Sequence, residues 1–195
     1  VNGKVWVEED GTIKMPANTS FSFLLFDTPL ANNRVEVTLY PNDLHGSADD
    51  RNGIVFALTD IDGDNTFGMG DDGVSYYFLC VSGYGEVQLI RMGAGKSWTV
   101  YITGGGVDVS KDVTLAVEWE TDGSVKVYAN GNLVIDQNVG EALTGNLYGI
   151  LMRSYANTEG GGFSHKVLAT SFVAGIYPAG GGNEDEETVT VNTAT

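Results

Sequence analysis

An alternation of apolar and polar residues runs through residues 74–137, and it limits what this chain can fold into. The stretch reads VSYYFLCVSGYGEVQLIRM and, after a glycine-broken connection, KDVTLAVEWETDGSVKVYANGNLVIDQ. A period of two places successive side chains on opposite faces of a strand. Turn residues such as Asp-Gly and Asn-Gly close nearly every segment. The pattern therefore predicts antiparallel sheet and an all-β fold.

Similar segments flank this stretch on both sides. The Asp10-Gly11 pair predicts a hairpin near the start of the chain, and Asn130-Gly131 predicts a type I′ turn because both residues tolerate positive φ. Residues 140–143 are predicted to form a short helical piece. The predicted strands span residues 4–7, 12–15, 21–26, 34–40, 53–59, 74–81, 86–92, 98–103, 113–120, 124–129, 132–136, 147–155 and 167–177.

The composition changes after Tyr177-Pro178 to AGGGNEDEETVTVNTAT. Glycine-rich, acidic and then threonine-rich sequence buries too little apolar surface to order itself. We therefore expect a β-sandwich domain over residues 1–178 and a linker or tail over residues 179–195. A tail of this kind leads us to expect neighbouring domains in a larger chain, and its valine–threonine alternation leaves open an added edge strand.

Charge and cysteine content narrow the possible partners. The formal net charge of −16 repels phosphate backbones and anionic lipids, so we expect neither nucleic acid nor a membrane surface as a partner. No apolar run is long enough to span a bilayer, so we expect no membrane insertion. The single cysteine, Cys80, lies in an apolar strand pattern, which favours a buried and unreactive thiol.

Several short motifs follow one another in a recognisable order. They are Gly53-Ile54-Val55-Phe56, Tyr76-Tyr77-Phe78, the run GEVQLIR at 85–91, Ser97-Trp98-Thr99, the run VKVYANG at 125–131 and the run GNLYGI at 145–150. This order resembles the concanavalin A-like lectin and glucanase superfamily, and is most similar to laminin G-like and related bacterial sugar-binding domains. The resemblance implies a two-sheet antiparallel jelly-roll sandwich, frequent glycan binding and often a structural calcium ion.

An acidic segment between two predicted strands is the candidate for that calcium ion. Asp60, Asp62, Asp64 and Asp71 lie among glycines and Asn65, and calcium takes six to eight oxygen ligands in a flexible loop. The segment departs from an EF-hand, because its glycine comes too early and no glutamate closes it. The alternative is a solvated loop in which Asp, Asn and Gly serve turn geometry.

Hydrolysis is the least favoured chemistry. Glucanases of the resembled fold carry a Glu-x-Asp-x-x-Glu motif on one strand, and this chain lacks it. The nearest approach is Glu118-Trp119-Glu120, which a solvent-facing strand edge explains equally well. His45 and His165 lie in polar segments and neighbour no serine or cysteine in a nucleophile motif.

Aromatic and polar side chains are the candidate ligand-binding groups. Sugars stack on aromatic rings while carboxylates and arginines bond their hydroxyls. Trp98 falls on the same strand face as Val100 and Ile102, and Trp119 on the same face as Leu115 and Val117, so both are predicted to be buried in the core. The remaining candidates fall opposite their strands' apolar positions, and we expect them to line the concave sheet: Trp6, Tyr77, Arg91, Tyr101, Glu118, Tyr128, Arg153 and Tyr155. Segments 41–52 and 154–166 are the other candidate sites, because binding residues often lie on loops.

These observations favour a non-catalytic carbohydrate-binding module of a secreted or cell-surface bacterial protein. Two alternatives stay open. One is an adhesin or stalk domain that binds a protein partner through the same tyrosines. The other is a divergent glycoside hydrolase that depends on Glu118 or Glu120.

Overall fold

The computed structural model of this chain describes residues 6–7, 13–15, 21–27, 30, 33–40, 51–61, 63, 73–93, 98–153 and 167–174. All regular structure in these ranges is β-strand. The strands are β1 Trp6–Val7, β2 Ile13–Met15, β3 Phe21–Phe26, β4 Arg34–Tyr40, β5 Arg51–Asp60, β6 Val74–Ser82, β7 Glu86–Met92, β8 Trp98–Gly106, β9 Val113–Trp119, β10 Ser124–Ala129, β11 Asn132–Asn138, β12 Leu147–Arg153 and β13 Val167–Ala174.

The strands form two antiparallel sheets. The seven-stranded sheet has the order β1-β2-β13-β4-β9-β10-β11, and the six-stranded sheet has the order β3-β12-β5-β6-β7-β8. Neighbours in each sheet come from distant parts of the sequence, as in a jelly roll. The predicted all-β, two-sheet sandwich is confirmed, as is the β1–β2 pairing. Every predicted strand overlaps an observed one, and those at 21–26, 34–40, 86–92 and 124–129 have the predicted bounds.

The main core lies between the two sheets. Alternate residues of β4 and β9 point into it, including Val35, Val37 and Leu115, all fully buried. Trp119 also lies there, with its ring centroid 5.0 Å from that of Phe56, so its predicted core position is confirmed. The core position of Trp98 stays a prediction, because only the backbone of this residue, in β8, belongs to the described part.

The six-stranded sheet is buried on its second face as well. Residues of a second apolar cluster cover that face: Phe23, Val55, Leu58, Val74, Tyr76, Phe78, Cys80, Ile90, Met92 and Leu151. A strand that is buried on both faces has no polar side, which explains the nearly continuous apolar sequence of β5 and β6. Burial raises the pKa of the Cys80 thiol to about 12, consistent with a structural and unreactive cysteine.

Turns next to β9, β10 and β11 fix the register of these strands. Asn130 and Gly131 have φ of 50° and 77°, which confirms the predicted type I′ turn. The predicted helical piece at residues 140–143 is wrong. The Leu143 N–H donates to the Thr121 carbonyl at 3.1 Å, and Gly140 has φ of 78°, so this segment is a loop held against the 121–123 turn.

Two further expectations are limited by the described ranges. The boundary expected between a domain at 1–178 and a tail at 179–195 lies outside them. The described residues contain no helix long and apolar enough to cross a membrane.

Candidate functional site

A shallow groove of about 310 Å³ opens on the outer face of the seven-stranded sheet, over β4, β9 and β10. We call this feature the sheet groove. Its lining combines charged, aromatic and small residues: Arg34, Glu36, Thr114, Ala116, Glu118, Tyr128 and Gly131. These residues alternate along their strands with the residues that fill the main core. The same period-two pattern therefore builds the core on one side and the groove on the other.

Strand register brings the groove residues together. Arg34 of β4 lies opposite Glu118 of β9, and Glu36 lies opposite Ala116. On the other side of β9, Ala116 lies opposite Tyr128 of β10. Directly opposed residues in antiparallel strands have Cβ atoms about 5 Å apart. The small Ala116 side chain consequently leaves a depression between Glu36 and Tyr128.

Arg34 is the centre of the polar contacts in the sheet groove. Its Nη1 donates to Glu118 Oε1 at 2.5 Å, and its Nη2 donates to Glu36 Oε2 at 2.9 Å. The guanidinium also lies 5.4 Å from the centroid of the Tyr128 ring, within cation–π range. The Arg34 side chain is 15% exposed, whereas that of Glu118 is 39% exposed. The arginine therefore forms the base of the groove and the carboxylates reach toward solvent.

Tyr128 contributes both a ring and a hydroxyl. Its hydroxyl donates to Glu118 Oε2 at 3.1 Å. Burial raises the pKa of Tyr128, and the hydrogen bond to Glu118 adds to this effect, so the phenol stays protonated and remains a donor. The β10–β11 register shifts between Val127 and Tyr128, and such irregularities re-aim side chains next to sites.

The chemistry of the sheet groove favours a hydroxyl-bearing ligand. Both oxygens of Glu118 already accept one bond, and each carboxylate oxygen has capacity for a second. Thr114 adds a hydroxyl group to the lining, and its oxygen lies 2.9 Å from that of Thr38, which is outside the lining. An aromatic ring beside carboxylates and hydroxyls can offer an apolar surface and several hydrogen-bond partners to one ligand.

A second polar cluster joins the 139–146 loop to the six-stranded sheet. Arg91 Nη2 donates to Glu141 Oε2 at 3.0 Å, and both Arg91 Nε and the Tyr77 hydroxyl donate to Glu141 Oε1. The hydrogen bond from Arg91 is the main cause of the lowered pKa of Glu141, with Tyr77 adding to it against the effect of burial. This cluster fastens the loop that replaces the predicted helical piece.

We predict that this cluster makes stability depend on acid pH. Because the pKa of Glu141 is lowered in the folded state, its contribution is present above its usual value of 4.5 and is lost as pH falls below that value. The Glu141 side chain is 37% exposed, so solvent screening limits the contribution to at most about 1 kcal/mol. The free energies of urea unfolding of Glu141→Gln and of the unsubstituted chain are expected to differ at neutral pH, and the difference is expected to shrink steadily as the pH is lowered below 4.5.

Thr103→Ala is a suitable control, because Thr103 is a neutral and exposed residue of β8. The difference in unfolding free energy between this control and the unsubstituted chain should not change as the pH is lowered. A constant gap between Glu141→Gln and the unsubstituted chain across this pH range would contradict the prediction.

The structure separates the candidate binding residues into two groups. Glu118 and Tyr128 lie together in the sheet groove, whereas Tyr77 and Arg91 are cross-strand partners in the six-stranded sheet. The expectation that all four line one face is wrong. Tyr77 does not face away from the core but is buried within it at 3% exposure, because both faces of β6 are covered.

The other candidates can be placed only in part. The backbones of Trp6, Tyr101 and Arg153 lie in β1, β8 and β12, and their side chains lie outside the described part. Tyr155 and segment 154–166 are outside the described residues. Of segment 41–52, only Arg51 and Asn52 are described, and both are buried in β5. Ligand binding by these candidates stays a prediction.

The predicted calcium segment is described only at its edges. Asp60 Oδ1 accepts the Gly63 N–H at 3.0 Å, while Asp62, Asp64 and Asp71 lie outside the described residues. Within the described ranges no group of three or more His, Cys, Asp or Glu side chains could hold a metal ion. The carboxylate and amide oxygens of the segment match the donor set that calcium prefers, so calcium stays a prediction.

Sequence reasoning missed three residues of these clusters, namely Arg34, Glu36 and Glu141. The first two had a usable signal. Val35, Val37 and Leu39 mark one face of β4, so the residues between them had to share the opposite face. Glu141 gave no such signal, because its contacts cross from a loop to residues 50 and 64 positions away.

Comparisons with solved structures find proteins that share the fold of this chain. No protein-family model matches the chain, and no curated protein matches it. A solved carbohydrate-binding module, CBM66 from Bacillus subtilis, is 17% identical with a TM-score of 0.58, over 86% of this chain and 88% of that one. The carbohydrate recognition domain of Emp46p, in its potassium-bound form, is 13% identical with a TM-score of 0.55, over 85% and 82%.

A Bacillus licheniformis β-glucanase is similar in the same way. It is 14% identical with a TM-score of 0.50, over 84% of this chain and 80% of that one. Likeness at this level of identity concerns the fold, which lectins, binding modules and hydrolases share. The chain has the concanavalin A-like lectin and glucanase fold. Its two antiparallel sheets form the jelly-roll sandwich of that fold.

Proposed function

We propose that this chain is a non-catalytic carbohydrate-binding module and that the sheet groove is its binding site. The observation that carries the proposal is the Tyr128–Glu118–Arg34 arrangement on an open sheet face. A sugar placed over Ala116 would meet the Tyr128 ring on one side and the Glu36 carboxylate on the other. Solved proteins with this fold include a carbohydrate-binding module and a carbohydrate recognition domain, which supports the same function.

Two observations favour binding without hydrolysis. The sequence lacks the Glu-x-Asp-x-x-Glu motif that the resemblance to glucanases would require. In the sheet groove, both oxygens of Glu118 already accept hydrogen bonds, from Arg34 and from Tyr128, so this carboxyl group is engaged as an acceptor within the protein. Glu120 follows the end of β9 and is outside the groove lining.

The proposal includes the setting of the module. A net charge of −16 favours solubility, and the composition of the tail suits attachment to neighbouring domains. We therefore place the module in a secreted or cell-surface bacterial protein. A calcium ion held by Asp60, Asp62, Asp64 and Asp71 would stabilise the loop between β5 and β6 and would supply no step of a reaction.

Glycan binding by three proteins tests the proposal: the unsubstituted chain, Tyr128→Ala and Tyr84→Ala. Tyr84 is the matched control, since it is 66% exposed on the β6–β7 turn and lies outside the groove. Immobilised plant, bacterial and host polysaccharides serve as probes. We expect the unsubstituted chain and Tyr84→Ala to bind the same glycans, and Tyr128→Ala to bind them about tenfold more weakly.

Repeating the measurement with a chelator separates the calcium proposal from the groove. Because calcium would act on the β5–β6 loop, chelation should lower the melting temperature of the protein. It should leave the glycan affinity of the sheet groove nearly unchanged. An unchanged melting temperature would remove the calcium proposal. Absence of binding to every probe, or equal binding by Tyr128→Ala, would contradict the proposed function, and release of reducing sugar would favour a hydrolase instead.

A further inference from the structure

Negatively charged side chains outnumber positively charged ones among the described residues of the sheet groove. Two carboxylates, Glu36 and Glu118, face the single guanidinium of Arg34. Among the described residues that line the groove, the charges therefore sum to −1. The exposed Lys126 of β10 lies beside it, opposite Glu118 on β9 and opposite the exposed Asp136 on β11, so this cation adds no net positive charge to the two carboxylates it faces.

The guanidinium is committed to contacts within the protein. It donates to both carboxylates, and the Tyr128 ring lies 5.4 Å from it. Its side chain is also the least exposed of the three charged groups. An anionic ligand would need to displace one carboxylate before it could pair with Arg34, whereas a hydroxyl can donate to the carboxylates without disturbing them.

We propose that Glu36 and Glu118 determine specificity by making the sheet groove select uncharged sugars and reject carboxylated or sulfated ones. This inference rests on the proposed function, since it concerns the ligand of the same groove. Two like charges brought together at a binding surface are unfavourable, and the −16 charge of the whole chain acts in the same direction. We expect at least about a tenfold preference for a neutral oligosaccharide over its uronic-acid counterpart at low salt.

A double substitution reverses the sign of the groove and tests the inference. Glu36→Gln with Glu118→Gln keeps amide oxygens that accept from Arg34 but leaves a net charge of +1. The probes are galactose oligomers and galacturonic acid oligomers of equal length, with glucose, mannose and N-acetylglucosamine oligomers as further neutral probes. We expect the double variant to gain at least about tenfold in affinity for galacturonic acid oligomers, with a gain that falls as salt rises.

The control removes two negative charges elsewhere. Glu120→Gln with Asp27→Asn changes two exposed side chains outside the groove lining, so the net charge of the chain shifts by the same amount. This control should keep the neutral preference of the unsubstituted chain. Thermal unfolding checks that each variant folds, and the single variant Glu118→Gln, expected to show part of the change, replaces the double variant if that one does not fold.

The outcomes separate the inference from the function beneath it. If the preference for neutral oligomers is lost in the Glu36→Gln, Glu118→Gln double variant and kept in the control, the result supports both the charge selectivity and the proposed binding function. Neutral binding with an unchanged preference in the double variant, or binding of galacturonic acid oligomers by the unsubstituted chain that Tyr128→Ala removes, overturns the selectivity and leaves the module intact. Absence of binding to every oligomer in every variant overturns the proposed function.

Discussion

Replacement of Gly53 by alanine is expected to destabilise the fold by about 3 kcal/mol or more. Gly53 lies in β5 between β12 and β6, opposite Leu151 and Cys80. A Cβ atom at this position would lie 1.9 Å from the backbone oxygen of Leu79 and 2.8 Å from the Cα of Cys80. Because backbone atoms cannot rotate away as a side chain can, β5 and β6 must separate in the middle of the sheet.

Chemical denaturation measures this effect, and Gly106→Ala is the matched control. A Cβ at Gly106 would meet its nearest atom, the Gly85 oxygen, at 4.0 Å, an ordinary contact. We expect the control to stay within about 0.5 kcal/mol of the unsubstituted chain. If Gly53→Ala were equally well tolerated, the close approach of β5 and β6 would be wrong, and with it the burial of both faces of the six-stranded sheet.

Replacement of Ala116 by leucine is expected to remove glycan binding while leaving the fold intact. Ala116 is the small residue at the centre of the sheet groove, between Glu36 and Tyr128. Ala116 is only 2% exposed, so a larger side chain there displaces the neighbouring groove side chains and fills the space a sugar would take, without changing any charge. We expect affinity to fall at least about tenfold and the free energy of unfolding to fall by about 1–3 kcal/mol, which leaves the domain folded.

Isothermal titration with the strongest glycan found, together with denaturation, measures both quantities. Thr103→Leu is the control, since it places the same side chain at an exposed strand position of the other sheet. Retained binding in Ala116→Leu would place the site elsewhere on the molecule. The loops and the concave face considered from the sequence would then become the candidates.

The sequence was sufficient to predict the strands because their signals are local. The alternation of Val35, Val37 and Leu39 and the Asn130-Gly131 turn each lie within a few residues, and each is confirmed. The prediction of a helical piece at residues 140–143 was wrong because it also relied on a local signal. Its short local pattern allows a helical turn, but backbone bonds to the 121–123 turn decide its conformation, and those partners are distant in sequence.

Assignment of faces succeeded only where one face of a strand meets solvent. On β9 and β10, Glu118 and Tyr128 alternate with buried residues, so their shared face was predictable. Tyr77 lies in β6, where alternation carries no information because both faces are buried. The composition of a site also depends on which strands pair with each other. The β4–β9 pairing, which adds Arg34 and Glu36 to the sheet groove, joins residues about 80 positions apart in the sequence.

Mapping a bound oligosaccharide on the protein by NMR tests the central claim most directly. In a titration with the neutral oligomer that binds best, the account predicts that amide shifts change mainly at residues of β4, β9 and β10 around Ala116. The same titration of Ala116→Leu should leave those shifts unchanged. Shifts confined to the six-stranded sheet, or to loops remote from Tyr128 and Arg34, would contradict the assignment of the sheet groove as the binding site.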